Sequence, residues 1–413
     1  MANSTLGQGE TAGHSAALND RLDPLVFDLT AEEAQLVSAA ASLIPALSAN
    51  AEKADATSRL PEDNIDALRN AGLLRLATPQ AYGGHQVGAR AATAIAAEVG
   101  RGCPSTSWVL VVYYSAAIAL WLYPDEVRHR VWSQDPDATV CGSSTGAVPV
   151  READGGYVLT GRWGWASGAH HATWAILDVV AQAEGPAPDR GVALVPMSEL
   201  SVEDTWHMTG MRGTGSDTIR AEEVFVPKEQ VVLMSQAATA ARDNTQALAP
   251  VPRPQGLAGA LAAPVLGMGM AVYDHIVAKL AEGRPLASSV KLHARAIDAP
   301  GVQANIADAA LLIDSAVLHA ARSARAVDLA TRTGAQMSPL AVARIRIDAG
   351  IAARHIRHAV DKLLDVGGAS RFAESSPTQR IWRDLGTATR HPTFITEIDR
   401  EQYARILLGF NGQ

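Results

Sequence analysis

Tyr157-Val158-Leu159-Thr160-Gly161-Arg162-Trp163-Gly164-Trp165-Ala166-Ser167-Gly168 interrupts a chain that otherwise carries helical patterning. Asp154-Gly155 just before it is a turn signal, and Tyr157 to Thr160 then reads as a strand. Trp174 to Ala181, Val192 to Val195 and Val224 to Val226 are further short β-type runs, punctuated by glycine and proline. A small β-domain inserted between helical ones is the reading that follows.

Working outward, residues 28–138 read as helical. Thr30 followed by Glu33 forms a capping box, in which each side chain satisfies an otherwise orphan amide. Leu36, Val37, Ala40, Leu43, Ile44 and Leu47 recur behind it at helical spacing. Pro61 suits the start of a further helix, with Glu62 and Asp63 favourable in its first turn and Gly72 a stop. Ser105 to Leu122 is strongly apolar and reads as a buried helix. On the other side, residues 139–235 form the β-domain. Residues 236–256, with Pro250, Pro252 and Pro254, read as a linker. From 257 to 413 the helical pattern returns: Ile306, Ala309, Ala310, Ile313, Ala316, Val317 and Ala320 make one stripe, and Leu340, Ala343, Ile347 and Ile351 another. Two such helices supply half of a bundle. Residues 1–27 read as a disordered tail. The meeting of the β-domain with the bundle is an expected place for a cofactor cleft.

Composition limits the function. Of 413 residues, 47% are hydrophobic and 19% charged, enough for a large core. The net charge of -8 argues against nucleic-acid binding. Cys103 and Cys141 do not suggest a disulfide scaffold, so a reducing cytoplasm is the simpler compartment. No uninterrupted run of about 18 apolar residues is present, so no membrane span is expected. Gly210 to Ser216 holds three glycines but lacks the Lys-Ser/Thr of a phosphate loop. His355, His358 and Asp361 share a helix face, but Arg354 and Arg357 among them disfavour a metal. No Gly-x-Gly-x-x-Gly fingerprint is present, so tight NAD(P)H binding is not expected.

Four stretches together resemble the acyl-CoA dehydrogenase superfamily: Leu60-Pro61-Glu62 through Tyr82-Gly83-Gly84; Cys141 to Gly146; Tyr157 through Gly168; and Gly210-Met211-Arg212-Gly213-Thr214-Gly215-Ser216 ending at Val224-Phe225-Val226-Pro227. Within it, Trp163 to Gly168, with Ala172 and Trp174, looks like the monooxygenase branch. So does the tail Arg380-Ile381-Trp382-Arg383-Asp384 leading to Arg390-His391. That branch holds the oxygenase components of two-component 4-hydroxyphenylacetate and secosteroid hydroxylases, dibenzothiophene monooxygenase and indole hydroxylases. The resemblance implies an N-terminal helical domain, a central β-barrel or sandwich and a C-terminal four-helix bundle. It implies reduced FAD or FMN from a separate NAD(P)H-dependent flavin reductase, O2, an aromatic or polycyclic substrate, a C4a-(hydro)peroxyflavin, and a homotetramer or dimer.

The resemblance also assigns roles. Ser167 falls where a hydroxyl or backbone group sits near flavin N5; as a residue alone it is a turn serine after a strand. Ser143, Ser144, Thr145 and Trp165 fall in segments lining the flavin. Arg284 lies in the phosphate-binding region, with Arg295 competing. Gly367-Gly368 resembles a pair that approaches the nucleotide portion from a neighbouring subunit, and is equally a helix stop. His391 is the candidate general acid or base, or a helix-terminal histidine bonding backbone. Many relatives place a second histidine on the helix after Ser105-Thr106-Ser107-Trp108; this chain has none. Tyr113, Tyr114 and Trp121 are the candidate substrate-pocket residues, or plain core. True acyl-CoA dehydrogenases carry a glutamate base near the tail, and Glu397 has the wrong surroundings for it. The competing readings are a divergent acyl-CoA dehydrogenase and a non-catalytic scaffold.

Overall fold

The structure, a computed structural model, describes residues 24–181, 188–235, 255–283, 285–286, 290 and 292–410. A first set of helices runs α1 (Ala31–Ser42), α2 (Ile44–Thr57), α3 (Glu62–Asn70), α4 (Ala89–Gly102), α5 (Pro104–Ala119) and α6 (Asp125–Trp132). Seven strands follow: β1 (Val140–Ala153), β2 (Gly156–Ala166), β3 (Trp174–Ala181), β4 (Asp189–Pro196), β5 (Ser201–Glu203), β6 (Asp217–Pro227) and β7 (Val231–Leu233). Then come α7 (Gln255–Ala281), α8 (Pro300–Thr333), α9 (Pro339–Gly367), α10 (Pro377–Ala388) and α11 (Thr396–Leu407). This is the expected mostly helical fold with an inserted β-layer.

The local reasons are those of the sequence, with corrections. The Thr30 capping box forms, with Glu33 N–H to Thr30 Oγ1 at 3.2 Å and Thr30 N–H to Glu33 Oε2 at 2.8 Å. The single helix expected behind it is two, bent by 50° at Leu43. Pro45 sits in the first turn of α2, and lacking an N–H it cannot continue the ladder of α1. Order begins before the expected tail ends: Pro24–Phe27 is a helical turn, Phe27 is buried, and Arg90 Nη1 donates to its carbonyl. The linker expected at 236–256 lies outside the described residues up to 254.

The sheet order is β5-β6-β2-β1-β3-β4-β7. β1 is antiparallel to β2 and parallel to β3. The β1–β3 register runs from Val140↔Trp174 to Ser143↔Leu177, then resumes at Val148↔Val179. Residues 144–147 therefore bulge away opposite a single β3 residue, a device that redirects a strand near a site.

Two cores meet on α5. One joins α1 to α6 with the sheet, around Leu110, Tyr113, Tyr123, Trp132 and Trp163. The other joins α7, α8 and α9, and takes Trp108 and Val111 from α5. α4 and α7 cross so closely that a Cβ on Gly267 would stand 2.4 Å from the Ala97 carbonyl oxygen. Only glycine allows that approach. Averaged hydropathy revises one expectation: Pro104–Leu122, Gly259–Ala281 and Pro300–Thr333 are long and apolar enough to cross a membrane by length and composition. The first two are mostly buried within the protein, so packing accounts for their apolar surface.

Candidate active site

A cavity of about 520 Å³ opens where the β-layer, α5 and the C-terminal helices meet. Ser143, Thr145, Trp165, Ser167 and His391 line it together.

The β-layer side is a wall of hydroxyls whose proton directions follow from elimination. Ser143 Oγ and Thr145 Oγ1 both lie within bonding distance of the Gly164 carbonyl, at 2.5 and 2.6 Å, and a carbonyl only accepts. Thr214 Oγ1 donates to the Met211 carbonyl at 2.8 Å. Ser216 Oγ, 2.7 Å from Thr214 Oγ1, must then donate to it. Ser167 Oγ, 2.7 Å from Ser216 Oγ, donates in turn to Ser216. Each of these hydroxyl protons is engaged within the protein, so toward a bound group each hydroxyl can only accept. Ser144 lies in β1 between its two neighbours.

This wall also holds a strained backbone. Trp165 has φ 60°, in the left-handed region that a bulky residue rarely adopts. Such a conformation persists only where its surroundings over-determine it. Here the Gly164 carbonyl is held by two hydroxyls, Ser167 N–H closes back on the Trp165 carbonyl at 3.1 Å, and the Gly168 carbonyl accepts Tyr113 Oη at 2.6 Å. Gly168 itself has φ 77°, and a Cβ there would meet Tyr113 Oη at 2.8 Å. The result projects the Trp165 indole, 61% exposed, at the cavity.

His391 stands on the other side, its ring 5.5 Å from that of Trp108 and edge-on to it. Its Nδ1 accepts the Thr393 N–H at 3.2 Å, capping the short helix Pro392–Phe394. It is a helix-terminal histidine bonding backbone, and it lines the cavity. With Nδ1 accepting, the neutral ring carries its proton on Nε2. Burial pulls its pKa below the ordinary 6.5. Neutral His391 thus offers an Nε2–H donor rather than a free base nitrogen.

Other expectations are corrected. Tyr113 and Tyr114 do not line the cavity. They lie in the core, with Tyr113 holding Gly168 and Tyr114 Oη donating to the Val87 carbonyl at 3.1 Å. Trp121 also lies off the cavity, under the Arg128 guanidinium at 4.9 Å. The face of α5 that does line it is Trp108, Val112, Ser115, Ala116 and Ala119. Gly367 and Gly368 end α9, Gly368 with φ 68°, and do not line the cavity within this chain. Arg284 lies outside the described residues. Arg295 is exposed and paired with Asp298 at 2.7 and 2.8 Å. Glu397 is exposed on the first turn of α11. His355 meets His319 ring to ring, and no group of three metal-ligating side chains occurs among the described residues.

Sequence reasoning passed over Thr214 and Ser216, although their loop was singled out, because only the chain of bonds to Ser167 reveals their part. It also passed over Asp384. This buried carboxyl accepts the Met211 N–H at 2.5 Å and so clamps the loop that supplies the Met211 carbonyl. Burial raises its pKa to about 7, helped by the nearby Asp55 charge and opposed by the Met211 bond and Arg383. Asp178, inside an apolar strand run, was likewise passed over; it lines the cavity.

Comparison with known proteins agrees with this geometry. Residues 30–131 match the family described as acyl-CoA dehydrogenase, N-terminal domain, and residues 260–395 its C-terminal domain. The chain is 30% identical over 380 residues to an "FADH(2)-dependent resorcinol hydroxylase, oxygenase component" of Rhizobium sp. (strain MTP-10005), covering 88% of this chain and 91% of that protein. It is 29% identical over 355 residues to the "Flavin-dependent monooxygenase, oxygenase subunit HsaA" of Rhodococcus jostii (strain RHA1), covering 85% and 92%. Among solved structures, XiaF from Streptomyces sp. in complex with FADH2 and glycerol superposes with a TM-score of 0.85 at 32% identity, covering 91% of this chain and 96% of that one. The chain belongs to the acyl-CoA dehydrogenase superfamily and, within it, to the branch of flavin-dependent monooxygenases.

Proposed function

We propose that this chain is the oxygenase component of a two-component system that takes reduced FAD or FMN from a separate NAD(P)H-dependent flavin reductase and uses O2 to hydroxylate an aromatic or polycyclic small molecule. The observation that carries the reading is the row of wall hydroxyls whose protons are already engaged. Ser167, its proton engaged on Ser216, can only accept from a bound group. Reduced flavin carries an N5–H donor that oxidised flavin lacks, so the residues present fit the reduced form. Ser143, Thr145 and Trp165 would hold the ring edge, and the bound flavin would supply the oxygen chemistry. His391 Nε2–H would donate to a developing oxyanion, and the apolar face of α5 would exclude water. The relatives named for FADH2 and for hydroxylation support the same assignment.

A homotetramer or dimer built through the C-terminal bundle belongs to the same proposal. Leu311 and Leu318, seven residues apart on α8, are 66% and 62% exposed and suit a face between copies. The two free, buried thiols Cys103 and Cys141 support a cytoplasmic setting. The test of the flavin reading is an anaerobic titration with FAD in both redox states. The proposal expects reduced FAD to bind the more tightly, with the preference falling in Ser167→Ala. Equal affinity for the two states, unchanged by that substitution, would refute it.

A further inference from the structure

The cavity contains one carboxylate, Asp178 of β3. Its side chain shares a strand face with Ile176, two residues earlier, which also lines the cavity. The strand is fixed at this point from two directions. The fully buried Trp163 donates its Nε1–H to the Asp178 carbonyl at 2.8 Å, and β4 pairs Val192 with Asp178. On the remaining side, β1 withdraws: pairing passes from Leu177 directly to Val179, and residues 144–147 bulge out opposite Asp178. Among the described residues, no hydrogen bond or ion pair reaches the Asp178 carboxylate. Burial raises its pKa, opposed by the charge of Arg190. Val112, Ser115, Ala116 and Ala119 line the same cavity from α5 and bring no cation. Arg390 and His391 are its other ionisable lining groups, on the C-terminal side.

A half-buried carboxylate that faces a cavity with no partner among the described residues keeps its acceptors open there, and a ligand group that completes it gains selectively. We propose that Asp178 selects the substrate: the cavity takes a ring system bearing an N–H or O–H donor or a positive charge, anchors that group on Asp178, and disfavours rings bearing a carboxylate. The assignment rests on the cavity being the substrate site, as argued above. Asp178 is a specificity-determining residue here, with no bond made or broken at it.

The test uses the FAD-loaded protein and four probes on one bicyclic ring: 2-naphthylmethylamine, 2-naphthol, naphthalene and 2-naphthoate, with affinities measured by calorimetry near neutral pH. In the wild type the amine and the naphthol bind at least roughly tenfold tighter than the naphthoate, with naphthalene between. Asp178→Asn keeps the shape and an acceptor. It removes the amine's advantage over naphthalene and relieves the naphthoate penalty, while naphthol binding changes by less than about threefold. Asp178→Ala brings naphthol to the level of naphthalene. Thermal melts of both variants confirm folding, and the Asn variant carries the conclusion if the Ala variant melts early. Naphthoate binding the wild type as tightly as the amine, or an affinity order unchanged in Asp178→Asn, overturns the assignment to Asp178 alone. Failure of all four probes to bind while FAD remains bound overturns the cavity as substrate site, and Asp178 with it.

Discussion

The two walls of the cavity are built on opposite principles. The β-layer wall is polar and over-determined: Ser143, Thr145, Ser167, Ser216 and Thr214 bond to backbone or to each other, and together they hold Trp165 in a left-handed conformation. The α5 wall is mostly apolar, with the Ser115 hydroxyl and the Trp108 indole N–H as its polar groups; its shape comes from Trp108, Val112, Ala116 and Ala119. The first fixes the direction of donors and acceptors. The second fixes volume. Under the proposed function, recognition of a flat cofactor edge would fall to the first wall and room for a variable ring to the second.

Substitutions at each wall break the comparison differently. The largest expected effect is on the apolar side. Trp108→Ala removes a buried ring that touches His391, and by the usual cost of such truncations it lowers stability by about 3–5 kcal/mol, read in a chemical-denaturation curve. A loss below about 1 kcal/mol would show that this wall collapses freely and does not set the volume.

Next comes the clamp behind the polar wall. Asp384 has its pKa raised to about 7 against the ordinary 3.8, so the folded protein binds a proton there that the unfolded chain releases. Its contribution to stability is full below about pH 4 and is lost as pH rises through about 7. Asp384→Asn keeps an acceptor for the Met211 N–H and cannot ionise. Its melting temperature should gain on the wild type between about pH 5 and pH 8. Parallel pH profiles for the two proteins would remove Asp384 from the account. His391 works in the opposite sense: its lowered pKa means stability is lost as pH falls from about 6.5 toward that lower value, so His391→Gln should flatten the acid side of the same profile.

A smaller effect sharpens the polar wall. Ser167→Ala removes one acceptor, worth about 0.5–1.5 kcal/mol, so reduced-FAD affinity should fall roughly two- to twelvefold. Ser216→Ala frees the Ser167 proton and should shift affinity by less. The smallest effect on binding is at Tyr113→Phe, which costs about 1 kcal/mol of stability by leaving the Gly168 carbonyl without its donor. Probe binding should not change, because Tyr113 does not line the cavity; a large change would return it to the substrate pocket.

These predictions also mark what the sequence made legible. Ser143, Thr145, Trp165 and Ser167 could be named from the sequence because they fall in short strand and turn motifs that together carry the family resemblance, and the structure places them on one cavity. The facing of α5 was not legible in this way. Its residues from Ser105 to Val111 are buried on every side, so periodicity cannot say which stripe meets the cavity, and residue type alone pointed to Tyr113, Tyr114 and Trp121. The break at Leu43 was legible in Pro45 but outweighed by a continuous apolar stripe. Asp178 was legible as an acid within an apolar strand; its lack of a partner depends on the β1 bulge, which no local pattern announces.

The central claim is that this cavity holds reduced flavin and protects its reaction with O2. The most direct measurement mixes the anaerobic protein, loaded with reduced FAD, with oxygenated buffer and follows near-ultraviolet absorbance on the millisecond to second scale. The account predicts a transient absorbance before oxidised flavin appears, shorter-lived in Ser167→Ala than in the wild type. Immediate appearance of oxidised flavin, with no transient at any pH, would contradict it.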